Sequence, residues 1–153
     1  MTIENSIDVC ITQNAPLHSY VEFKNCSDDQ FSAIIALCFE VYAPQHTSIE
    51  LCFMSEKEHC VAHKTFLGDA TPTDVMAFPY ADDDCAGELL VNIEMAVRRA
   101  PEFSHSAVAE LMLYVVHGTL HLIGFDDHSA ADTEKMRTAE KKIITLAIER
   151  DIF

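Results

Sequence analysis

The segment that most constrains this chain is 105–123, which contains LMLYVV and is apolar on nearly every side. A helix without a polar face must be wrapped by the rest of the protein, so this one is expected at the centre of the fold. Gly124 stands where such a helix ends, suited to a left-handed C-terminal cap. Set into this helix, four residues apart, are His117 and His121.

The remaining residues supply the wrapping. Residues 6–12 (SIDVCIT) alternate weakly before the turn-like QNAP and read as a strand. Ser27 and Gln30 form a capping box that opens a helix with Phe31, Ile34, Ile35, Cys38 and Tyr42 on one face, ending before Pro44. Residues 48–54 (SIELCFM) read as a strand, and Ser55 with Glu58 as a second capping box for a helix to about Phe66. DVMAFPY is a strand that Pro79 ends, and Gly87 leads into another, ELLVN. Residues 93–100 read as a helix stopping before Pro101. Ser129 caps a last amphipathic helix with Met136, Ala139, Ile143 and Ala147 on one face. About four strands interleaved with five helices make an α/β or α+β fold. With no repeat, low-complexity tract or Pro/Gly-rich linker, residues 1–153 are expected to form a single domain.

About half of the 153 residues are apolar, enough for one sizeable core. No stretch approaches the roughly 20 apolar residues that cross a membrane. The N-terminus is acidic where a signal peptide is basic, so a soluble cytoplasmic protein is expected. The six cysteines are widely spaced, without a C-x-x-C pair, and read as small buried hydrophobes rather than disulfides. A formal charge of −15 repels phosphate backbones. A nucleic-acid partner would therefore need a local basic patch or a bound cation.

The cation has a candidate site. His117 and His121 project from one helix face a turn apart, a spacing that lets two imidazoles hold one metal ion. Gly124 lets the chain leave the helix sharply, so His128 can return to the same point. Three ring nitrogens leave a fourth position open, as in catalytic rather than structural zinc sites, and one Zn2+ per chain is expected. Histidines on an apolar helix are often only hydrogen-bonded core residues. Two of them, a glycine stop and a third histidine together favour the metal. In H-E-x-x-H peptidases a glutamate base follows the first histidine. Here that residue is Gly118, which counts against a standard zinc peptidase. Zinc lowers the pKa of a bound water to roughly 7. Asp126, Asp127, Asp74 and Glu88 are the candidates to orient it, unranked by the sequence.

HGTLHLIGFDDH at 117–128 nearly meets the pattern H-G-x-L-H-L-x-G-[YF]-D-H. PTDVMAFP at 72–79 follows P-T-[DN]-V-L-[ST]-F-P, and AGELLVNIEMA at 86–96 follows L-G-D-[IV]-x-[IV]-[SN] with its short helix. With these blocks in matching order and separation, the chain resembles the YbeY family of bacterial rRNA maturation factors, which are metal-dependent single-strand endoribonucleases. The resemblance spans roughly residues 48–148. It implies an α+β domain with a mixed four-stranded sheet, about five helices and a zincin-like metal-binding helix. It also implies zinc on His117, His121 and His128, and action on single-stranded rRNA precursors of the small ribosomal subunit, in maturation and quality control. A zinc amidohydrolase or peptidase, or a non-catalytic ribosome-assembly factor with a structural metal, are the alternatives.

The chain departs from the family pattern in two places. His128 stands eleven residues after His117 where the family usually has ten, because the run is Asp126-Asp127-His128, and Asp127 can serve as ligand in its place. Leu67 falls where the family usually has an arginine, and His63 where it has an asparagine. Arg98 and Arg99, adjacent near a helix end, can guide RNA or merely complement the helix dipole. His59 and His63 are a second pair four apart, read as a solvated helix face because no third ligand follows. Asp82, Asp83 and Asp84 read as a solvated loop rather than a hard-cation site.

Overall fold

The computed structural model describes residues 7–42, 45–81 and 84–153. Its elements run β1 (Asp8–Gln13), α1 (Asp28–Tyr42), β2 (Ser48–Met54), α2 (Glu56–Leu67), β3 (Val75–Pro79), β4 (Cys85–Asn92), α3 (Ile93–Arg99), α4 (Ala107–Leu122) and α5 (Ala130–Glu149). Short 3-10 segments lie at Leu17–Ser19, Val21–Phe23 and Ala100–Phe103. Pro44, Asp82 and Asp83 lie outside the described residues.

The sheet order is β1-β2-β4-β3, with β1 parallel to β2, β2 parallel to β4, and β3 antiparallel to β4. This is a mixed four-stranded sheet in one α+β domain with five α-helices. The helices begin where the side chains dictate. Ser55 accepts from the Glu58 amide at 3.3 Å while the Glu58 carboxylate accepts from the Ser55 amide at 3.3 Å. Ser27 and Gln30 form the equivalent pair at the start of α1, at 3.4 and 3.0 Å. Ser106 and Ser129 cap α4 and α5 through their hydroxyls, at 3.1 and 3.0 Å. Each such cap satisfies an otherwise orphaned amide and stabilises by about 1 kcal/mol.

Side chains alternate between the two faces of the sheet. Ile49, Leu51 and Phe53 of β2 and Leu89 and Val91 of β4 enter the main core, which they share with Phe31, Ile35, Leu111, Val115 and Ile143 of α1, α4 and α5. Phe31 meets Phe53 edge-to-face, with ring centroids 4.8 Å apart. The apolar helix α4 lies at the centre, against α1, α3, α5 and the β3–β4 pair. The opposite sheet face carries a smaller cluster of Cys52, Met54, Met76 and Leu90, packed against Ala62 of α2.

That second layer corrects the solvated reading of His59 and His63. Both are buried, because the face of α2 that carries them rests on the sheet. His59 Nε2 bonds the Leu90 carbonyl at 2.9 Å, and His63 Nδ1 bonds the Thr71 carbonyl at 2.8 Å. All six cysteines are free thiols. Cys26, Cys38 and Cys52 are buried as expected, but Cys10 is exposed and Cys60 and Cys85 are half-buried. Among the described residues no helix is long and apolar enough to cross a membrane.

Candidate metal centre

Helix α4 approaches the sheet so closely at position 118 that any side chain there must displace its neighbours. A Cβ there would lie 2.8 Å from Leu89 Cδ2 and 2.9 Å from Val75 Cγ2. The position after His117 therefore faces the sheet, and a glutamate of the peptidase kind there would have to displace Leu89 and Val75. His117 and His121, on a neighbouring helix face, bring their Nε2 atoms to 3.0 Å of each other.

At the end of α4 the chain reverses through Gly124, which has φ 106°. The Gly124 amide bonds the His121 carbonyl at 3.2 Å and the Phe125 amide bonds the Leu120 carbonyl at 3.0 Å, the paired pattern of a Schellman cap. The same turn orients a ring: His121 Nδ1 bonds the Phe125 carbonyl at 3.1 Å. His117 Nδ1 is held at 2.5 Å by Glu140 Oε1, from α5. Both imidazoles are thus fixed through Nδ1, which leaves the two Nε2 atoms convergent. Burial opposes protonation of His117, but the Glu140 hydrogen bond and charge, with Asp74 and Asp127 adding, raise its pKa overall.

The reversal carries Asp127 back over the pair, with Oδ2 3.5 Å from each Nε2. A tetrahedral zinc about 2.0–2.1 Å from its N and O ligands separates those atoms by about 3.3 Å. The three donor atoms, at 3.0, 3.5 and 3.5 Å from one another, fit that requirement. His128 lies one residue beyond and is not brought to the pair. Its side chain is 86% exposed and its Nδ1 bonds the Asp126 carboxylate. The physical reason is the extra aspartate: the turn delivers the tenth residue after His117, not the eleventh. Asp126, Asp127 and His128 form a second, wholly exposed group of possible ligands.

The other sequence candidates divide. Asp74 caps the start of β3, accepting from the Val75 amide at 2.8 Å, and also borders a cavity of about 230 Å³ beside His117. Asp126 is exposed and accepts from the Asp127 amide at 2.8 Å, which shapes the loop that presents Asp127. Glu88 is not brought to the site. It pairs across strands with Glu50, one position before the core-facing Leu89, so it points to the opposite sheet face. Burial and the Glu50 carboxylate raise its pKa. Arg98 is occupied by a bidentate ion pair with Glu56, at 2.6 and 3.1 Å. Arg99 borders the cavity beside His117, with its Nε 3.4 Å from the Glu102 carboxylate. Leu67 is exposed at the end of α2.

Sequence reasoning missed Glu140. Its signal was an acid next to Ala139, at the edge of the apolar stripe of α5. It also missed Glu110, which is an acid inside the most apolar helix of the chain and is almost fully buried.

Fold and site define an α+β domain whose central helix carries a candidate metal centre of two histidines and an aspartate. The model of the family "Endoribonuclease YbeY" matches residues 17–147, and the chain belongs to that family. The endoribonuclease YbeY of Alkaliphilus metalliredigens is 30% identical over 74% of this chain and 79% of its own length. That of Acholeplasma laidlawii is 30% identical over 77% and 87%. The endoribonuclease YbeY of Carboxydothermus hydrogenoformans is 41% identical over 52% of this chain and 58% of its own length. A solution structure of a Thermotoga maritima protein shares the fold, with a TM-score of 0.62 and 24% identity over 93% of this chain and 90% of that one.

Proposed function

We propose that this protein is a zinc-dependent endoribonuclease of single-stranded RNA, acting in the cytoplasm on rRNA precursors of the small ribosomal subunit. The observation that carries the reading is the convergence of His117 Nε2, His121 Nε2 and Asp127 Oδ2 on one point, His117 also lining a neighbouring cavity. Two imidazoles and a carboxylate suit zinc, with a fourth position free for substrate or water. When bound, the ion supplies the positive charge that a chain of −15 otherwise lacks where a phosphate must sit.

The chain's own residues supply the rest. Glu140 and the Phe125 carbonyl hold the two imidazoles in their productive orientation. Asp127 completes the donor set, and His128, one residue further, is the alternative third ligand. Asp74, on the cavity wall, is placed to accept a proton or orient a water. Arg99 offers a cation to the phosphate backbone on the same wall.

The test is cleavage of end-labelled single-stranded RNA with added zinc, by wild type and His121→Ala, with the product ends analysed. Internal cuts by wild type that His121→Ala abolishes support the reading, and a 2′,3′-cyclic phosphate end would show attack by the ribose hydroxyl. A non-catalytic assembly role is favoured by one observation, the exposed Leu67 standing where the family usually has an arginine. No cleavage by a zinc-loaded, folded wild type would select it.

A further inference from the structure

The cavity beside His117 contains more than a metal site requires. Its wall away from the histidine pair is built by Arg99, Phe103, His105, Glu110 and Tyr114. Glu110 is 3% exposed, and His105 Nε2 bonds its Oε2 atom. Tyr114 is 4% exposed, and its buried hydroxyl lies against the Glu110 carboxylate, which it helps to hold. A buried carboxylate so held is a fixed acceptor, since its two oxygens offer about four lone-pair sites and the histidine and the Tyr114 hydroxyl take two. At the mouth, Phe103 is exposed, with the Arg99 guanidinium 5.5 Å from its ring centroid. An aromatic face and a guanidinium plane are the surfaces on which unstacked RNA bases rest.

We propose that this cavity is a base-binding subsite that prefers guanine, in the RNA strand that crosses the histidine pair. The proposal rests on the endoribonuclease reading for its strand, but the pocket chemistry stands by itself. About 230 Å³ lies below the roughly 300–1,000 Å³ of drug-sized ligand sites and suits one planar base. Guanine alone among the four RNA bases presents two neighbouring donors, N1–H and N2–H, beside a carbonyl acceptor, O6. A fixed carboxylate, held by His105 and Tyr114, matches the two donors. Adenine and cytosine each offer one amino group flanked by a ring-nitrogen acceptor, which a carboxylate repels. Uracil places its single N–H between two carbonyls. Phe103 supplies the stacking surface, and Arg99 the cation for the adjoining phosphate.

The experiment is titration of the wild-type protein with GMP, AMP, CMP and UMP, followed by NMR of its amides and by calorimetry. It is repeated with Glu110→Gln, Tyr114→Phe and Phe103→Ala, and the zinc content of each variant is measured. GMP should bind at least tenfold more tightly than the other three and shift the amides around Phe103–Tyr114. Each substitution should reduce GMP affinity by at least fivefold while zinc content stays at the wild-type level. Phe103 is exposed, so Phe103→Ala reports even if the buried substitutions unfold the protein. Equal binding of all four nucleotides, or GMP affinity unchanged in Phe103→Ala and in either folded buried variant, would overturn the subsite. Tight GMP binding in a protein that cuts no RNA would uphold the subsite and remove the endoribonuclease reading. RNA cleavage without GMP preference would do the reverse.

Discussion

At the scale of single residues, the site depends on groups that touch the histidines rather than on the histidines alone. Glu140 fixes the His117 ring from α5, 23 residues along the chain. Removing such a partner typically weakens metal affinity about 10–100-fold. Glu140→Gln should show a loss in that range in a chelator competition assay, with the fold intact by circular dichroism. Unchanged affinity would mean that the Glu140 contact is incidental. His117, His121, Asp74 and Asp127 were all legible as candidates, because their residue types and spacing carry chemistry. Glu140 was not, since nothing local in the sequence says which helix packs over α4. The choice between Asp127 and His128 was also open there, because it depends on how many residues the Gly124 turn spends before the chain lies over the pair.

At the scale of elements, the helices were legible where side chains cap them, at Ser27, Ser55 and Ser129, and α4 by its apolar run rather than by its Ser106 cap. The first strand was legible by its weak alternation and the others as short apolar runs, although β4 begins at Cys85, two residues before the glycine that was read as its threshold. What propensity does not encode is which face of a helix finds a partner. The α2 histidines were read as solvated, but they sit beneath that helix because a second sheet face needed covering.

Two predictions belong to this scale. Gly118→Ala pushes a methyl into Leu89 and Val75 and should cost about 1–3 kcal/mol of stability, read as a lower denaturation midpoint. A neutral effect would contradict the close helix–sheet approach. The second concerns the Arg98–Glu56 pair that ties α3 to α2. The hydrogen bond from Arg98 holds the Glu56 carboxyl below its usual range, despite partial burial, with Asn92 and His59 adding to the effect. A lowered carboxylate pKa gives stability that is present above the unfolded value and lost as pH falls through the folded one. Both partners are partly solvated, so the contribution should stay below about 1 kcal/mol. Glu56→Gln should therefore be slightly less stable than wild type at pH 7, and the difference should shrink as pH falls below the ordinary glutamate range and vanish only below the lowered folded value. A difference that persists there would assign the effect to packing.

At the scale of the whole molecule, the dominant facts are one core around α4 and a formal charge of −15. The charge makes a bound cation the simplest means for this surface to meet phosphate. It also links the ion to folding, because the donors come from α4, the loop after it and, through Glu140, α5. An ion at a hundred times its dissociation constant adds about 2.7 kcal/mol to the folded state. Thermal unfolding should accordingly shift to lower temperature on chelation and recover when zinc is restored. A melting temperature indifferent to chelator would place the ion, if any, outside the folded core.

The most direct test is the metal content of the purified protein by elemental mass spectrometry, beside His121→Ala, Asp127→Ala and His128→Ala. The expected result is about one zinc per wild-type chain, lost in His121→Ala and Asp127→Ala and kept in His128→Ala. Loss in His128→Ala with retention in Asp127→Ala would move the third ligand to the histidine and leave the centre standing. No stoichiometric metal in wild type, and none taken up when zinc is added, would contradict the account at its centre.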